Sequence, residues 1–227
     1  HDRAMRRPLA LLTLVVAACG DDGVTAIDAA GADASTDASG CPPVWTVDAA
    51  AGTSASITGG RLSLTGTSLA GSALEVYRDG LSGDFDVSFS VASFAAGGSG
   101  AFVQAAIAEP VAQPTRLLTA AFGTFPTVGV SAADQPGGSV DIQATATTTG
   151  TLRFARTGTT VTITATAGAT IATATGQSFA TQPLRVGIQL GSNDGTVAPV
   201  TTATIEDFTV TSGAGAASDP FDCDSLI

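Results

Sequence analysis

The chain of 227 residues carries 20 acidic side chains and 9 arginines, which give it a formal net charge of −11. A strong negative charge repels nucleic acid. The chain contains no lysine, and its only histidine lies in a segment that we expect to be removed. A Ser-His-Asp triad, a Cys-His pair and a Ser-Lys dyad are therefore excluded. The chemistry that remains is that of carboxylates, or of a hard cation held by oxygen ligands.

Residues 1–18 have the features of a secretory signal peptide. Arg6 and Arg7 precede the mostly apolar segment 9–18, which is shorter than the roughly 20 residues that span a membrane. The end of this segment, VAAC, resembles the lipobox of bacterial lipoproteins. The resemblance implies that Cys19 is acylated, becomes the first residue of the mature chain and anchors the protein in a membrane. An ordinary signal peptide with a chance cysteine is the alternative.

The residue after Cys19 is Gly20 rather than Asp. The inner-membrane retention signal known in some bacteria is therefore absent, which favours the outer membrane of the bacterial cell envelope. Residues 20–40 are mostly Ala, Asp, Gly, Ser and Thr, and such a segment buries too little apolar surface to fold. It predicts a flexible tether with a reach of roughly 25 Å. The chain then divides into a signal peptide (1–18), a lipidated cysteine with its tether (19–40) and a folded domain (41–227).

The domain alternates apolar and polar residues with a period of two and shows no sustained helical period. The clearest strand is 84–93, in which Phe and Val alternate with Asp and Ser. Residues 151–166 predict a hairpin that turns near Gly158, and residues 183–191 predict a further strand. Weaker strands are predicted at 61–65, 73–78, 101–108, 116–122 and 139–145. Many short strands without helices are typical of an antiparallel sandwich or barrel.

Four segments of the domain occur in a familiar order: LSGDFDVSFSV (81–91), TLRFARTGTTVTIT (151–164), PLRVGIQLGSNDGT (183–196) and TATIEDFTVT (202–211). Together they resemble the concanavalin A-like lectin/glucanase superfamily, and in particular its bacterial extracellular modules. The resemblance implies an all-β, two-sheet antiparallel jelly-roll sandwich whose terminal strands are adjacent.

The sequence departs from this family in two places. The segment 164–175 lacks the aromatic residue that the family often has after the hairpin. The glucanase members carry a Glu-x-Asp-x-x-Glu strand, but Glu75, Glu109 and Glu206 are the only glutamates here, and none has an aspartate two residues later. The two-carboxylate machinery of those enzymes is therefore missing from the sequence.

Cys41 and Cys223 lie at the two ends of the domain, and we predict that they form a disulfide. Such a bridge fits an oxidising compartment and requires the chain ends to be neighbours. A reactive thiol is the alternative. We further expect Trp45 to pack in the core near this bridge. Ile205 and Phe208 are both apolar but three residues apart, which predicts a structural β-bulge between them, at Glu206-Asp207.

Three residues are candidates for contact with a sugar ligand on the strength of their type and position. Tyr77 ends a predicted strand, and exposed aromatic rings are common sugar-binding groups. Asp84 and Asp86 share one face of their strand and could line a binding surface. A solvated polar face is the alternative for both aspartates.

Two arginines and one turn complete the candidate ligand sites. Arg153 and Arg185 point outward on strands expected to lie near each other, and could receive an anionic sugar. Pairing with nearby acids such as Asp141 is the alternative. Asn193 and Asp194 predict a turn between two strands, or a rim calcium site of the kind that some jelly-roll lectins hold there; no other cofactor is expected.

These observations favour a non-enzymatic, surface-anchored lipoprotein whose jelly-roll module binds a glycan or another cell-surface partner. One alternative is a structural envelope module without a small ligand. Another, from a different functional class, is a glycoside hydrolase that uses carboxylates alone. The expected partners are the membrane, through the lipid anchor, and a glycan, but not nucleic acid.

Overall fold

The computed structural model describes residues 45–67, 69–111, 114, 116–125, 127–135, 138–177, 183–197, 199–214, 221 and 226. Within these ranges no helix is long and apolar enough to cross a membrane. Cys19, Cys41 and Cys223 lie outside the described residues, so lipidation and the disulfide stay predictions. The signal peptide and the tether also lie outside them.

Thirteen β-strands form the described part of the chain. In chain order they are β1 (Thr46–Ala49), β2 (Thr53–Ile57), β3 (Leu62–Gly66), β4 (Leu69–Ala95), β5 (Ala101–Ala108), β6 (Leu117–Thr124), β7 (Val128–Gln135), β8 (Val140–Ala144), β9 (Gly150–Thr157), β10 (Thr160–Ala167), β11 (Thr170–Gln177), β12 (Leu184–Val197) and β13 (Thr201–Ala214).

The strands form two antiparallel sheets that share β4. Sheet I has the order β1-β4-β12-β5-β6-β7-β8, and sheet II has the order β2-β3-β13-β4-β9-β10-β11. Strands β9, β10 and β11 of sheet II contact strands β5 to β8 of sheet I, so the two sheets face each other. The prediction of a two-sheet antiparallel jelly-roll sandwich is confirmed.

Strand β4 is 27 residues long because it passes from one sheet to the other. Its first part pairs with β1 and β12, and its second part pairs with β13 and β9. Gly80 and Gly83, with φ of 111° and 69°, lie at the crossing. Glycine adopts these positive φ angles without the steric cost that a Cβ would add, so the strand can bend between the sheets.

The core lies between the sheets and is lined by the inward residues of each strand. Phe85, Val87 and Phe89 of β4 are buried, as their alternation with polar residues predicts. The predicted hairpin is also confirmed, since β9 and β10 pair in register and Gly158 occupies the turn with φ of 59°. The segment 164–175, which lacks aromatic residues, forms the next hairpin, between β10 and β11.

Trp45 is 1% exposed and packs in the core, as predicted. Its ring centroid lies 5.1 Å from that of Phe208 and 5.7 Å from that of Phe221. Trp45 also forms an isolated parallel bridge with Leu226. The start and the end of the described domain are therefore neighbours, which is the arrangement that the predicted disulfide requires.

The predicted bulge in β13 is confirmed by the strand register. Ile205 is opposite Val91 of β4, and Asp207 is opposite the adjacent Ser90. Glu206 is therefore the extra residue of the bulge and has no partner in the register. Ile205 and Phe208 are consequently both buried. Glu206 forms an exposed ion pair with Arg61 at 2.7 Å, which supports a structural role for this acidic pair.

Asp141 of β8 and Ser139, which directly precedes β8, bind β11 along the edge where β11 ends sheet II. The Thr173 N–H donates to Asp141 Oδ2 at 2.9 Å. The Thr175 N–H donates to Ser139 Oγ at 2.7 Å, and this hydroxyl donates back to Thr175 O at 2.8 Å. These side chains satisfy backbone groups that an edge strand otherwise leaves open to pairing with another chain.

Replacement of Asp141 by alanine is expected to lower the free energy of unfolding by about 0.5–1 kcal/mol at pH 7. The hydrogen bond from the Thr173 N–H, followed by that from Gln143, holds the pKa of Asp141 below its ordinary value. This contribution is therefore present above the ordinary aspartate pKa and is lost as the pH falls through the lower folded-state value. Urea unfolding at pH 7 and at pH 2 measures it.

Ser139→Ala is the matched control for this experiment, because it removes a similar edge contact that does not titrate. Its cost should be the same at both pH values. A pH-independent cost for Asp141→Ala would show that the carboxylate does not act through its charge.

Candidate functional site

A line of polar side chains crosses the outer face of sheet I, on the side away from the core. The register places Asp48 of β1 opposite Glu75 of β4. Glu75 in turn lies opposite Gln189 of β12, which lies opposite Gln104 of β5. Directly opposed residues of an antiparallel sheet point to the same face. Glu75, Gln189 and Gln104 are called the amide–carboxylate row below.

Hydrogen bonds fix the side chains of this row. Gln189 Oε1 accepts from Gln104 Nε2 at 2.6 Å and from Ser72 Oγ at 3.2 Å. Gln189 Nε2 donates to Glu75 Oε1 at 3.0 Å. Gln189 is only 8% exposed, whereas Glu75 and Gln104 are half-buried. The central glutamine therefore holds the outer two groups in place, which lowers the entropy cost of binding a ligand.

Arg185 of β12 joins the row to the only tyrosine of the chain. Its guanidinium carbon lies 3.6 Å from the ring centroid of Tyr77, a cation–π contact. Its Nε donates to Asp79 Oδ1 at 2.9 Å, and its Nη2 donates to Asp79 Oδ2 at 3.3 Å. Its Nη1 lies 3.9 Å from Glu75 Oε2. One face of the Tyr77 ring is thus covered by Arg185.

Glu75 is the acidic group of this site that is electrostatically perturbed. Burial raises the pKa of Glu75 above its ordinary value, and the nearby charges of Asp48 and Asp79 raise it further. The hydrogen bond from Gln189 and the charge of Arg185 lower the pKa but do not offset the burial. Glu75 is therefore a half-buried carboxylate whose charge is incompletely compensated.

Small residues lie next to the row on the same face. Gly187 of β12 is opposite Tyr77, and a Cβ there would meet Tyr77 Cβ at 2.9 Å and the Val76 carbonyl oxygen at 3.0 Å. Ala106, beside Gly187 on β5, is 3% exposed. A ligand at this site would therefore contact the half-buried Glu75, Gln104 and Tyr77, and not the small residues of β12 and β5 beside them.

The structure brings two of the predicted ligand residues, Tyr77 and Arg185, together at this site. The other three lie on the outer face of sheet II. Arg153 binds Asp86 through two hydrogen bonds, of 2.8 and 2.6 Å, and the hydrogen bond from Arg153 lowers the pKa of Asp86. Asp84 accepts from the Gly158 N–H at 2.8 Å and so supports the β9–β10 turn.

The expectation that Arg153 and Arg185 lie near each other is wrong. Arg153 belongs to β9 of sheet II and Arg185 to β12 of sheet I, so the two arginines lie in different sheets. Both pair with acids, but not with Asp141, which binds β11 instead. A receptor for an anionic sugar built from these two arginines has no structural basis.

The predicted turn at Asn193-Asp194 is also wrong, because β12 continues through Val197. Asn193 is exposed, and its N–H donates to Gly100 O at 2.9 Å. A register shift between Ser192 and Val197 marks the irregular part of the strand. Ser192 is the last residue of β12 with a register partner on β5, and the pairing with β4 resumes only at Val197. In the described part of the chain no three His, Cys, Asp or Glu side chains are grouped as metal ligands, and the calcium site stays a prediction.

Sequence reasoning missed all three members of the row, Glu75, Gln104 and Gln189, as site residues. The available signal was a polar residue within an otherwise apolar strand, as in AFVQAAIA of β5 and ALEVY of β4. Each such residue identifies a polar position on one strand. Only the register of β4, β12 and β5 shows that these positions are adjacent.

The protein matches no known family model and no curated protein sequence. Among solved structures, a glycoside hydrolase family 16 endo-glucanase from Bacteroides ovatus is similar over 74% of this chain and 94% of its own, with 11% identity and a TM-score of 0.47. An alginate lyase from Klebsiella pneumoniae covers 71% of this chain and 85% of its own, at 11% identity and a TM-score of 0.47. Lectin I-B4 from Griffonia simplicifolia covers 74% and 92%, at 11% identity and a TM-score of 0.34. At these values the likenesses assign neither a family nor an activity.

Proposed function

We propose that the protein is a non-enzymatic glycan-binding module, displayed at the bacterial outer membrane by a lipid on Cys19. The observation that supports glycan binding is the amide–carboxylate row beside Tyr77 on the outer face of sheet I. Planar amide and carboxylate groups can donate to and accept from the neighbouring hydroxyls of a sugar. A few fixed polar groups next to an aromatic ring are typical of ligand sites.

The surface display rests on the sequence alone. The lipobox ends at Cys19, and the Ala- and Asp-rich segment 20–40 separates it from the folded domain. Metabolic labelling with a fatty-acid analogue tests the anchor, and Cys19→Ser should abolish the labelling.

Binding is tested by a glycan array probed with the chain from Gly20 onward, with and without calcium. We expect hits that weaken at least tenfold, or about 1.4 kcal/mol, in Tyr77→Ala and in Gln104→Ala. Both side chains are half-buried at the site, so their loss removes ligand contacts without opening the core. Titration calorimetry with the strongest hit measures the change in Kd.

Thr162→Ala is the matched control, because Thr162 is exposed on β10 in sheet II. Its affinity should equal that of the wild type. If the Kd of Tyr77→Ala and of Gln104→Ala equals that of the wild type, the binding site lies elsewhere. A blank array in both conditions would instead favour the structural envelope module. A response to calcium would support the predicted site at Asn193 and Asp194.

A glycoside hydrolase is the second candidate, because Asp48 lies opposite Glu75. Opposed side chains in a sheet have Cβ atoms about 5 Å apart, and a glycosidase uses two carboxyls, one with a raised pKa. Release of reducing ends from the bound glycan tests this candidate. A hydrolase would lose its activity in both Glu75→Gln and Asp48→Asn, whereas no release by the wild type would eliminate it.

A further inference from the structure

The charges around the amide–carboxylate row are unbalanced. Asp48, Glu75 and Asp79 lie on adjacent strands of sheet I, and both aspartates act electrostatically on Glu75. Arg185 pairs with two of these carboxylates, Glu75 and Asp79. Asp48 adds a third negative charge opposite Glu75, within a chain whose formal net charge is −11.

Arg185 is committed to contacts within the protein. Two of its nitrogens donate to Asp79, and a third lies 3.9 Å from Glu75. Its flat face covers the ring of Tyr77. A carboxylate or sulfate on a ligand could obtain a bidentate hydrogen bond from Arg185 only by displacing Asp79.

The neighbouring arginine of β4 does not supply a second cation at this face. Arg78 is 6% exposed and lies on the core side of the strand. Its guanidinium carbon is 5.2 Å from the ring centroid of Trp45 and 5.5 Å from that of Phe208. An anionic ligand that reaches Gln104 and Glu75 would therefore meet a half-buried negative charge that Arg185, already bound to Asp79, offsets only in part.

We propose that Glu75 is the specificity-determining residue of this site, and that it makes the site select uncharged glycans and reject glycans that carry carboxylates. The proposal rests on the proposed glycan-binding function. An uncharged sugar can donate hydroxyl hydrogen bonds to the Glu75 carboxylate, because an ionised carboxylate is an acceptor. A uronate brings a like charge to a half-buried group, where solvent screens the repulsion less than at the surface.

The test uses matched pairs of β-1,4-linked oligosaccharides that differ only at C6: mannan with mannuronan oligosaccharides, and cello-oligosaccharides with glucuronan oligosaccharides. Calorimetric titration at pH 7 of the chain from Gly20 onward measures both members of each pair. We expect the neutral member of at least one pair to bind, and its uronate counterpart to bind at least tenfold more weakly. Glu75→Gln keeps the planar group but removes its charge, so it should reduce this ratio at least fivefold.

Asp207→Asn is the matched control, because it removes an exposed carboxylate from β13 of sheet II, away from this site. Solvent screens an exposed charge, so the ratio should change by less than a factor of two. Equal effects of the two variants, or uronates that bind the wild type as tightly as neutral sugars, would overturn the proposal. If no member of any pair binds, the proposed function fails with it, whereas tight uronate binding would overturn the specificity alone. A thermal melt of each variant confirms that it is folded.

Discussion

Replacement of Phe208 by alanine is expected to lower the free energy of unfolding by about 3–5 kcal/mol. Phe208 is 1% exposed and belongs to an aromatic cluster with Trp45 and Phe89. Its ring centroid is 5.1 Å from that of Trp45 and 5.0 Å from that of Phe89. The guanidinium of Arg78 also lies over its ring.

The expected cost of Phe208→Ala combines lost burial, a cavity and lost ring contacts. The bulge at Glu206 fixes the backbone of β13 just before this residue, so the strand cannot easily move inward to fill the space. Phe208→Leu, which keeps most of the apolar volume, should cost less than half as much. Urea denaturation of both variants measures the difference. A loss below 1 kcal/mol for Phe208→Ala would show that the cluster does not hold the sheets together.

Loss of the predicted disulfide is expected to lower the free energy of unfolding by up to about 5 kcal/mol in the chain-entropy model, since the loop is long. Cys41 and Cys223 lie outside the described residues. The prediction is supported by the Trp45–Leu226 bridge and by the contact between Trp45 and Phe221, which bring the two ends of the domain together.

Serine variants distinguish a disulfide from two free thiols. The free energy of unfolding should fall by the same amount in Cys41→Ser, in Cys223→Ser and in the double variant, because either single change breaks the bond. In the chain from Gly20 onward, a thiol-alkylating reagent should modify neither cysteine until a reductant is added. Additive costs, or alkylation of the unreduced protein, would contradict the pairing.

The two sheets present different outer surfaces. On sheet II the aspartates bind the chain itself: Asp86 pairs with Arg153, and Asp84 accepts from the backbone of the β9–β10 turn. On sheet I a half-buried acid and amide lie beside Tyr77, and the carboxylate is incompletely compensated. This contrast is the reason for placing the candidate site on sheet I.

Local patterns were sufficient for most of the strands. Alternation identified the buried face of β4 at Phe85 and Phe89, and the β9–β10 hairpin with its turn at Gly158. The three-residue spacing of Ile205 and Phe208 identified the bulge. These features depend on the period of the side chains along a single strand, so the sequence determines them without reference to any partner strand.

The site depended on contacts between segments that are distant in the chain. Glu75, Gln104 and Gln189 are neighbours because β4, β12 and β5 pair in one register. For the same reason Arg153 and Arg185, which look alike in sequence, lie in different sheets. Asn193 lies within β12, although the local sequence favours a turn. The alternation of apolar and polar residues shows to which face of its strand a side chain points. Pairing between distant segments decides which strand lies beside it. The sequence thus determined the strands and the bulge, and only the tertiary structure decided which polar side chains meet.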